Sequence, residues 1–170
     1  MEKKFEDGIS KCLCAFNYDD EDGNKVDVLS TYDENGVNYN TIIENGILAG
    51  RSIMVEIKDG YNFHNLYEPS IIRYDDENGE IWSREYYVLG EYITDNKKEF
   101  FEMKEKCMNL SILKSINKIK SISKLEKYKV FLEYYLCYDT DPHDEETINK
   151  YNEALDKLES RLIILKLEQA

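Results

Sequence analysis

Two hydrophobic patterns divide this chain. Up to about residue 94, apolar and β-branched residues occur in short runs separated by turns rich in Asp, Asn and Gly. From residue 95 onward, apolar residues recur at intervals of three and four, the spacing of a helix that buries one face. The sequence therefore predicts an α+β protein in one compact domain, with an acidic antiparallel β region over 1–94 and a helical region over 95–170.

The first region is predicted to form an antiparallel β-meander of about five to seven short strands. The stretch 59–70 has no clear period and is predicted as a long loop, while Trp82 is expected to pack in the core. The runs predicted as strands are 9–16, 26–32, 37–43, 52–57, 71–74 and 81–89.

Nearly identical polar strings separate several of these runs. Asp and Asn in them can accept local backbone hydrogen bonds, and the closing Gly can adopt the left-handed conformation that ends a hairpin loop. They are therefore predicted as hairpin turns. The strings are YDDEDG at 18–23, YDENG at 32–36, YDDENG at 74–79 and the shorter ENG at 44–46.

The second region is predicted to form several helices that end in an antiparallel helical hairpin. One helix covers 95–108, a second segment follows Ser111, and a third begins at Ser123 through a capping box with Glu126. The last helix is predicted to begin with Asp141 as its cap and Pro142 in its first turn, and to run for about 26 residues. Its heptad seam comprises Ile148, Tyr151, Leu155, Leu158, Leu162 and Leu165.

Charge is distributed as unevenly as hydrophobicity. Residues 1–100 hold 22 acids and 10 bases, a balance of −12, and residues 101–170 hold 13 acids and 12 bases, a balance of −1. Strings of carboxylates on hairpin tips can imitate a phosphate backbone and compete for a basic nucleic-acid groove. The predicted partner-binding residues are Asp19, Asp20, Glu21, Asp22, Asp33, Glu34, Asp75, Asp76, Glu77 and Glu80.

The same residues have a plainer interpretation, because hairpin turns favour Asp and acidic surfaces favour solubility. A lysine-rich segment provides a contrast: six lysines and one glutamate between 114 and 129 give a local balance of +5. This segment is expected to face the acidic sheet or to lie in solvent, because a net charge of −13 repels polyanions overall.

Catalytic and metal-binding signals are weak, so no catalytic residue, metal site or cofactor is predicted. The string from Asp20 to Gly23 matches only part of a calcium loop. The four cysteines, Cys12, Cys14, Cys107 and Cys137, fit no zinc spacing and are expected to be buried thiols. His64, in the predicted aromatic loop, remains the one candidate general base, although a packing role fits it better.

Composition also indicates a location. No apolar run approaches the roughly 20 residues that span a bilayer, and the N-terminus lacks the apolar core of a signal peptide, so a cytoplasmic protein is expected. Frequent Ile, Asn and Tyr with few Ala and Pro are typical of AT-rich coding sequence, as in some bacteria and their phages.

These features favour a non-enzymatic acidic binding protein or inhibitor. Its expected partner is a basic nucleic-acid-binding effector, with no membrane and no direct nucleic-acid contact. The most specific version is a phage or mobile-element anti-defence factor of the anti-CRISPR kind. Three alternatives stay open: an immunity protein for a cationic toxin nuclease, a small enzyme built around His64, and a self-assembling protein that forms a homodimer through its C-terminal helix.

Overall fold

The computed structural model describes residues 9–33, 35–57, 60–75 and 77–169. The chain divides into two units, Met1–Asn96 and Lys97–Ala170. The described part of the first unit is a β-sheet and that of the second is helical, which confirms the predicted α+β class and the order of its two regions.

The first unit is an antiparallel sheet of eight strands over the residues described. Its order is β1-β2-β3-β4-β6-β7-β8, so nearly every strand pairs with its neighbour in sequence, and β5 pairs with β4. The strands are β1 Ile9–Asp19, β2 Lys25–Asp33, β3 Asn38–Glu44, β4 Ile47–Ile57, β5 Gly60–Phe63, β6 Ile71–Tyr74, β7 Ile81–Val88 and β8 Glu91–Thr94.

Two of these strands were not expected. Strand β5 lies inside the predicted loop 59–70, and β8 follows the last predicted strand. Each has only four residues, which is too short for an alternating pattern to stand out. Strand β4 also begins earlier than predicted, at Ile47, because an extra residue at Ala49 breaks the alternation there.

The second unit contains α1 Lys97–Met108, α2 Ile122–Tyr134 and α3 Glu145–Glu168. Two short 3-10 turns, Ser111–Lys114 and Ile116–Lys118, connect α1 to α2. A π-helical turn, Tyr135–Asp139, continues α2 at its C-terminal end.

Helices α2 and α3 form the predicted antiparallel hairpin. Lys129 contacts Glu159 at 2.7 Å and Lys166 contacts Glu126 at 3.0 Å, so the start of one helix lies beside the end of the other. Burial follows the predicted seam for four of its six residues, while Ile148 and Leu155 are half-buried and Ala154 is buried in addition. The buried residues of α3 are Tyr151, Ala154, Leu158, Leu162 and Leu165.

Both predicted helix caps were wrong by a few residues. The cap of α2 is Ser121, whose hydroxyl accepts a hydrogen bond from the Lys124 backbone N–H, and not Ser123. The cap of α3 is Asp144, whose carboxylate accepts from Thr147 N at 3.0 Å. In both cases another capping residue lies two or three positions away, so the sequence offers two starts and packing selects one.

No helix in the described ranges is both long enough and apolar enough to cross a membrane.

Candidate interaction surface at one end of the sheet

The acidic turns are built on one hydrogen-bonding scheme. In the β1–β2 turn, Asp20 Oδ1 accepts backbone N–H groups from Asp22 at 2.9 Å and Asn24 at 2.8 Å, and Gly23 closes the turn at φ 83°. The predicted turn chemistry is therefore confirmed. The same scheme recurs at Asp33, with Asn35 and Val37, and at Asp75, with Glu77 and Asn78.

In the β1–β2 turn this geometry keeps the Asp20 carboxylate ionised. A side-chain hydrogen bond from Asn24, supported by backbone hydrogen bonds, lowers the pKa of Asp20 below its ordinary value. The scheme therefore fixes a negative charge at the tip of the hairpin while it satisfies the backbone of the turn.

Strand order brings two of the predicted acidic turns to the same end of the sheet. Because the strands alternate in direction, the β1–β2, β3–β4 and β6–β7 turns all lie at this end, which we call the tip end. The register agrees, since Val26 at the start of β2 pairs with Glu44 at the end of β3, and Gly50 near the start of β4 pairs with Arg73 near the end of β6.

The tip end carries most of the predicted partner-binding carboxylates. No residue of this group that the structure describes forms a salt bridge. Asp33, in the β2–β3 turn, lies at the opposite end of the sheet, and Glu34 and Asp76 are outside the described residues. The described carboxylates of the tip end are Asp19, Asp20, Glu21, Asp22, Glu44, Asp75, Glu77 and Glu80.

A side chain of the middle turn joins it to the first. Asn45 Oδ1 accepts from the Lys25 backbone N–H at 3.0 Å, and Asn45 Nδ2 donates to Asn24 Oδ1 at 3.0 Å. These contacts hold two neighbouring hairpins together at the tip end.

Exposed aromatic and aliphatic side chains accompany the carboxylates. Phe16 and Tyr18 are each 51% exposed and stack with ring centroids 6.5 Å apart. Tyr18, Val26, Glu44 and Ile47 are directly paired across four strands, so they share one face of the sheet. On that face Tyr18 and Ile47 are exposed and Val26 is buried. The sequence did not reveal this cluster, because strand register decides which apolar residues share a face of the sheet.

Trp82 belongs to the same end and corrects a prediction. Instead of packing in the core, it is 66% exposed. The reason lies in the register of β7: Arg73 pairs with Ser83 and Tyr74 pairs with Ile81, which leaves Trp82 as the extra residue of a β-bulge. The bulge removes it from the regular alternation that the prediction assumed.

An open groove of about 580 Å³ lies between the β3–β4 and β6–β7 turns. We call it the tip groove. Its lining combines acidic, aromatic and small apolar residues, and includes Glu44, Ile47, Ala49, Arg73, Asp75 and Trp82.

His64 has a structural position within the first unit. It is 9% exposed, and its Nδ1 accepts a hydrogen bond from the backbone N–H of Leu89, which has a positive φ of 51°. Burial lowers its pKa to about 4, so the imidazole is neutral near pH 7. The residue therefore holds the β7–β8 turn and uses one ring nitrogen to do so.

The thiols divide into two environments. Cys107 is buried, and burial raises its pKa, whereas Cys137 is exposed, which corrects the expectation of a buried thiol there. The side chains of Cys12 and Cys14 lie outside what the structure describes. Within the described ranges, no three or more His, Cys, Asp and Glu side chains are grouped as metal ligands.

The lysine-rich segment of the second unit is largely exposed. Lys129 is paired with Glu159 at 2.7 Å and lies 3.7 Å from Glu133. The lysines of the connecting turns and of the start of α2 are exposed, namely Lys114, Lys118, Lys120 and Lys124.

Comparison with models of protein families, with curated proteins and with solved structures finds no match for this chain.

Proposed function

We propose that this chain is a non-enzymatic inhibitor whose acidic tip end occupies the nucleic-acid groove of a basic protein. The observation that carries the proposal is the placement of two acidic turns, far apart in sequence, at the same end of one sheet. The centres of the β1–β2 and β6–β7 hairpins are four strand spacings apart, or about 19 Å.

The density of charge supports this use. Eight described carboxylates lie within that end of the sheet. A DNA duplex about 19 Å long carries roughly 11 phosphate charges, so the tip end approaches the charge of the ligand it would replace.

The first unit also carries the whole net charge of the chain. Residues 1–96 hold 21 acids and 8 bases, which is −13, and residues 97–170 hold 14 of each. A basic groove would therefore attract the first unit and not the second.

The exposed aromatic residues supply contact area that a partner can bury, which charge alone does not provide. Tyr and Trp are enriched at binding hot spots, because they bury a large area at a small entropic cost. Phe16, Tyr18 and Trp82 stand beside the carboxylates and are accessible to a partner.

The narrowest form of the proposal is an anti-defence factor of a phage or mobile element that blocks a CRISPR nuclease. It acts in the cytoplasm, where such effectors handle nucleic acid. The AT-rich composition and the acidic tips support this form.

The test begins by capturing the partner on the immobilised chain at about 50 mM salt and identifying it by mass. The expected partner is a basic protein that a short DNA or RNA duplex displaces and that about 500 mM salt releases. If the captured proteins stayed bound in the presence of the duplex and also at high salt, that result would contradict the proposal.

A charge variant then localises the contact. Asp19→Asn, Glu21→Gln, Asp22→Asn and Glu77→Gln together remove four charges but keep the turn-forming Asp20 and Asp75. We expect the Kd for the captured partner to rise about tenfold or more, since exposed ion pairs contribute about 0.2–1 kcal/mol each.

The matched control removes the same number of charges away from the tip end. It combines exposed residues of the same unit: Glu56→Gln, Glu68→Gln, Glu91→Gln and Asp95→Asn. The control should change the Kd less than threefold, and an equal loss in both variants would show that only overall charge matters.

A further inference from the structure

We infer that the tip groove is a docking site for an arginine side chain on an exposed loop of a basic protein partner. This inference rests on the proposed function and adds the residue type that the partner must present.

The lining matches the chemistry of a guanidinium group. Arginine stacks on aromatic faces, and its planar fork binds carboxylates through two parallel hydrogen bonds. The groove provides both elements, because the exposed Trp82 lines it together with Glu44 and Asp75.

Each carboxylate has an oxygen to offer. Asp75 Oδ1 accepts the backbone N–H groups of Glu77 and Asn78, and no described residue donates to its other oxygen. Glu44 likewise has no ion-pair partner within the described ranges.

The resident cation does not oppose such a ligand. Arg73 also lines the groove, but its Nε lies 3.1 Å from Glu85 Oε1, so its charge is matched within the sheet. Counting Glu44, Asp75 and Glu85 against Arg73 leaves a local charge of −2.

Two backbone irregularities converge on the groove. In β4, Ile42 pairs with Gly50 and Ile43 pairs with Leu48, so Ala49 is an extra residue, as Trp82 is in β7. Both extra residues line the groove. Bulges are over-represented at functional sites because they redirect side chains, and these two place a small residue and a large aromatic ring in one groove.

The shape and surroundings favour a loop of a protein over a free small cation. The groove is open, and the β3–β4 and β6–β7 turns contribute Glu44 and Asp75 to its lining. A partner that inserts one arginine would place its neighbouring basic residues against those turns.

Trp82 makes the test direct, because it is the only tryptophan in the chain. We would titrate the intact chain with octa-arginine and octa-lysine and follow tryptophan emission and calorimetric heat. Octa-arginine should change the emission saturably and bind several-fold more tightly than octa-lysine.

Two variants and one control variant assign the contact. Trp82→Ala should weaken octa-arginine binding about tenfold and bring it level with octa-lysine, as measured by calorimetry, because it removes the aromatic face on which a guanidinium group stacks. Tyr67→Ala, at another exposed aromatic residue of the unit, should change neither affinity. Glu44→Gln should also weaken octa-arginine more than octa-lysine.

The outcomes separate this inference from the proposed function. If Trp82→Ala binds octa-arginine normally while the four-charge tip variant does not, the groove inference falls and the acidic inhibitor stands. If neither peptide binds the intact chain at low salt, both fall. If argininamide saturates the emission change at the same concentration as octa-arginine, the groove is a small-cation site and the docking inference is wrong.

Discussion

At the scale of single residues, His64 combines burial with a hydrogen bond to a turn of the backbone. Its Nδ1 must remain unprotonated to accept the hydrogen bond from Leu89 N, and it sits where little water reaches it. The sequence placed it in a loop with carboxylates nearby, but could not show that the loop covers it.

This geometry predicts that stability depends on pH. Burial lowers the pKa of His64 from 6.5 to about 4 in the folded state, so the unfolded chain takes up a proton first as the pH falls. The stabilisation is fully present above about pH 6.5 and is lost progressively between there and pH 4, by about 3 kcal/mol at most.

Urea unfolding at several pH values would measure this loss. His64→Asn keeps an acceptor near the Nδ1 position but does not titrate, so its free energy of unfolding should change less over that range. An identical pH dependence in the two proteins would show that His64 is not the group responsible, since all other titratable groups are common to both.

At the scale of elements, the turns were the most predictable feature. Asp20, Asp33 and Asp75 accept the local hydrogen bonds that their sequence strings predict, because such bonds join residues only two to four positions apart. Trp82 and β5 were not predictable in the same way, since a bulge and a four-residue strand depend on the neighbouring strands.

In the candidate site, too, local features were predictable from the sequence, and features that depend on neighbouring strands were not. The sequence supplied the carboxylates of the β1–β2 and β6–β7 turns, but strand order was needed to show that they share an end of the sheet and that Asp33 does not. Exposure of Phe16 and Ile47 required the register as well, because their sequence is that of ordinary half-buried strands.

The caps of α3 offer a matched pair for experiment. Asp144 accepts from Thr147 N in the first turn, whereas Asp141 accepts from His143 N before the helix begins. Asp144→Ala should therefore lower the midpoint temperature of unfolding, and Asp141→Ala should lower it clearly less. Thermal unfolding of the two variants compares them, and the opposite ranking would move the start of the helix back to Asp141.

At the scale of the whole molecule, the charges lie on the acidic turns and the aromatic contact lies at Trp82. This separation predicts which residues control the association rate constant for the partner and which control the dissociation rate constant. Charges at a distance mainly accelerate association, while a buried anchor mainly slows dissociation. We expect the four-charge tip variant to lower the association rate constant for the captured partner about tenfold at low salt, with little change in dissociation.

Trp82→Ala should have the opposite signature. Its dissociation rate constant should rise about tenfold while association changes little, because the indole acts only after contact. Surface-based kinetics at two salt concentrations would resolve both rates. If the two variants lowered the association rate constant equally, the groove and the acidic turns would both contribute to the first encounter with the partner.

The β-meander also has a consequence for how the protein folds during its synthesis. Every strand of the described sheet pairs within residues 9–94, and most pair with the next strand in sequence. Short-range pairing is fast, and a chain emerges from the ribosome at only about 5–20 residues per second. The hydrogen-bonded ladder can thus assemble one hairpin at a time during synthesis, before the ribosome has translated the last helix.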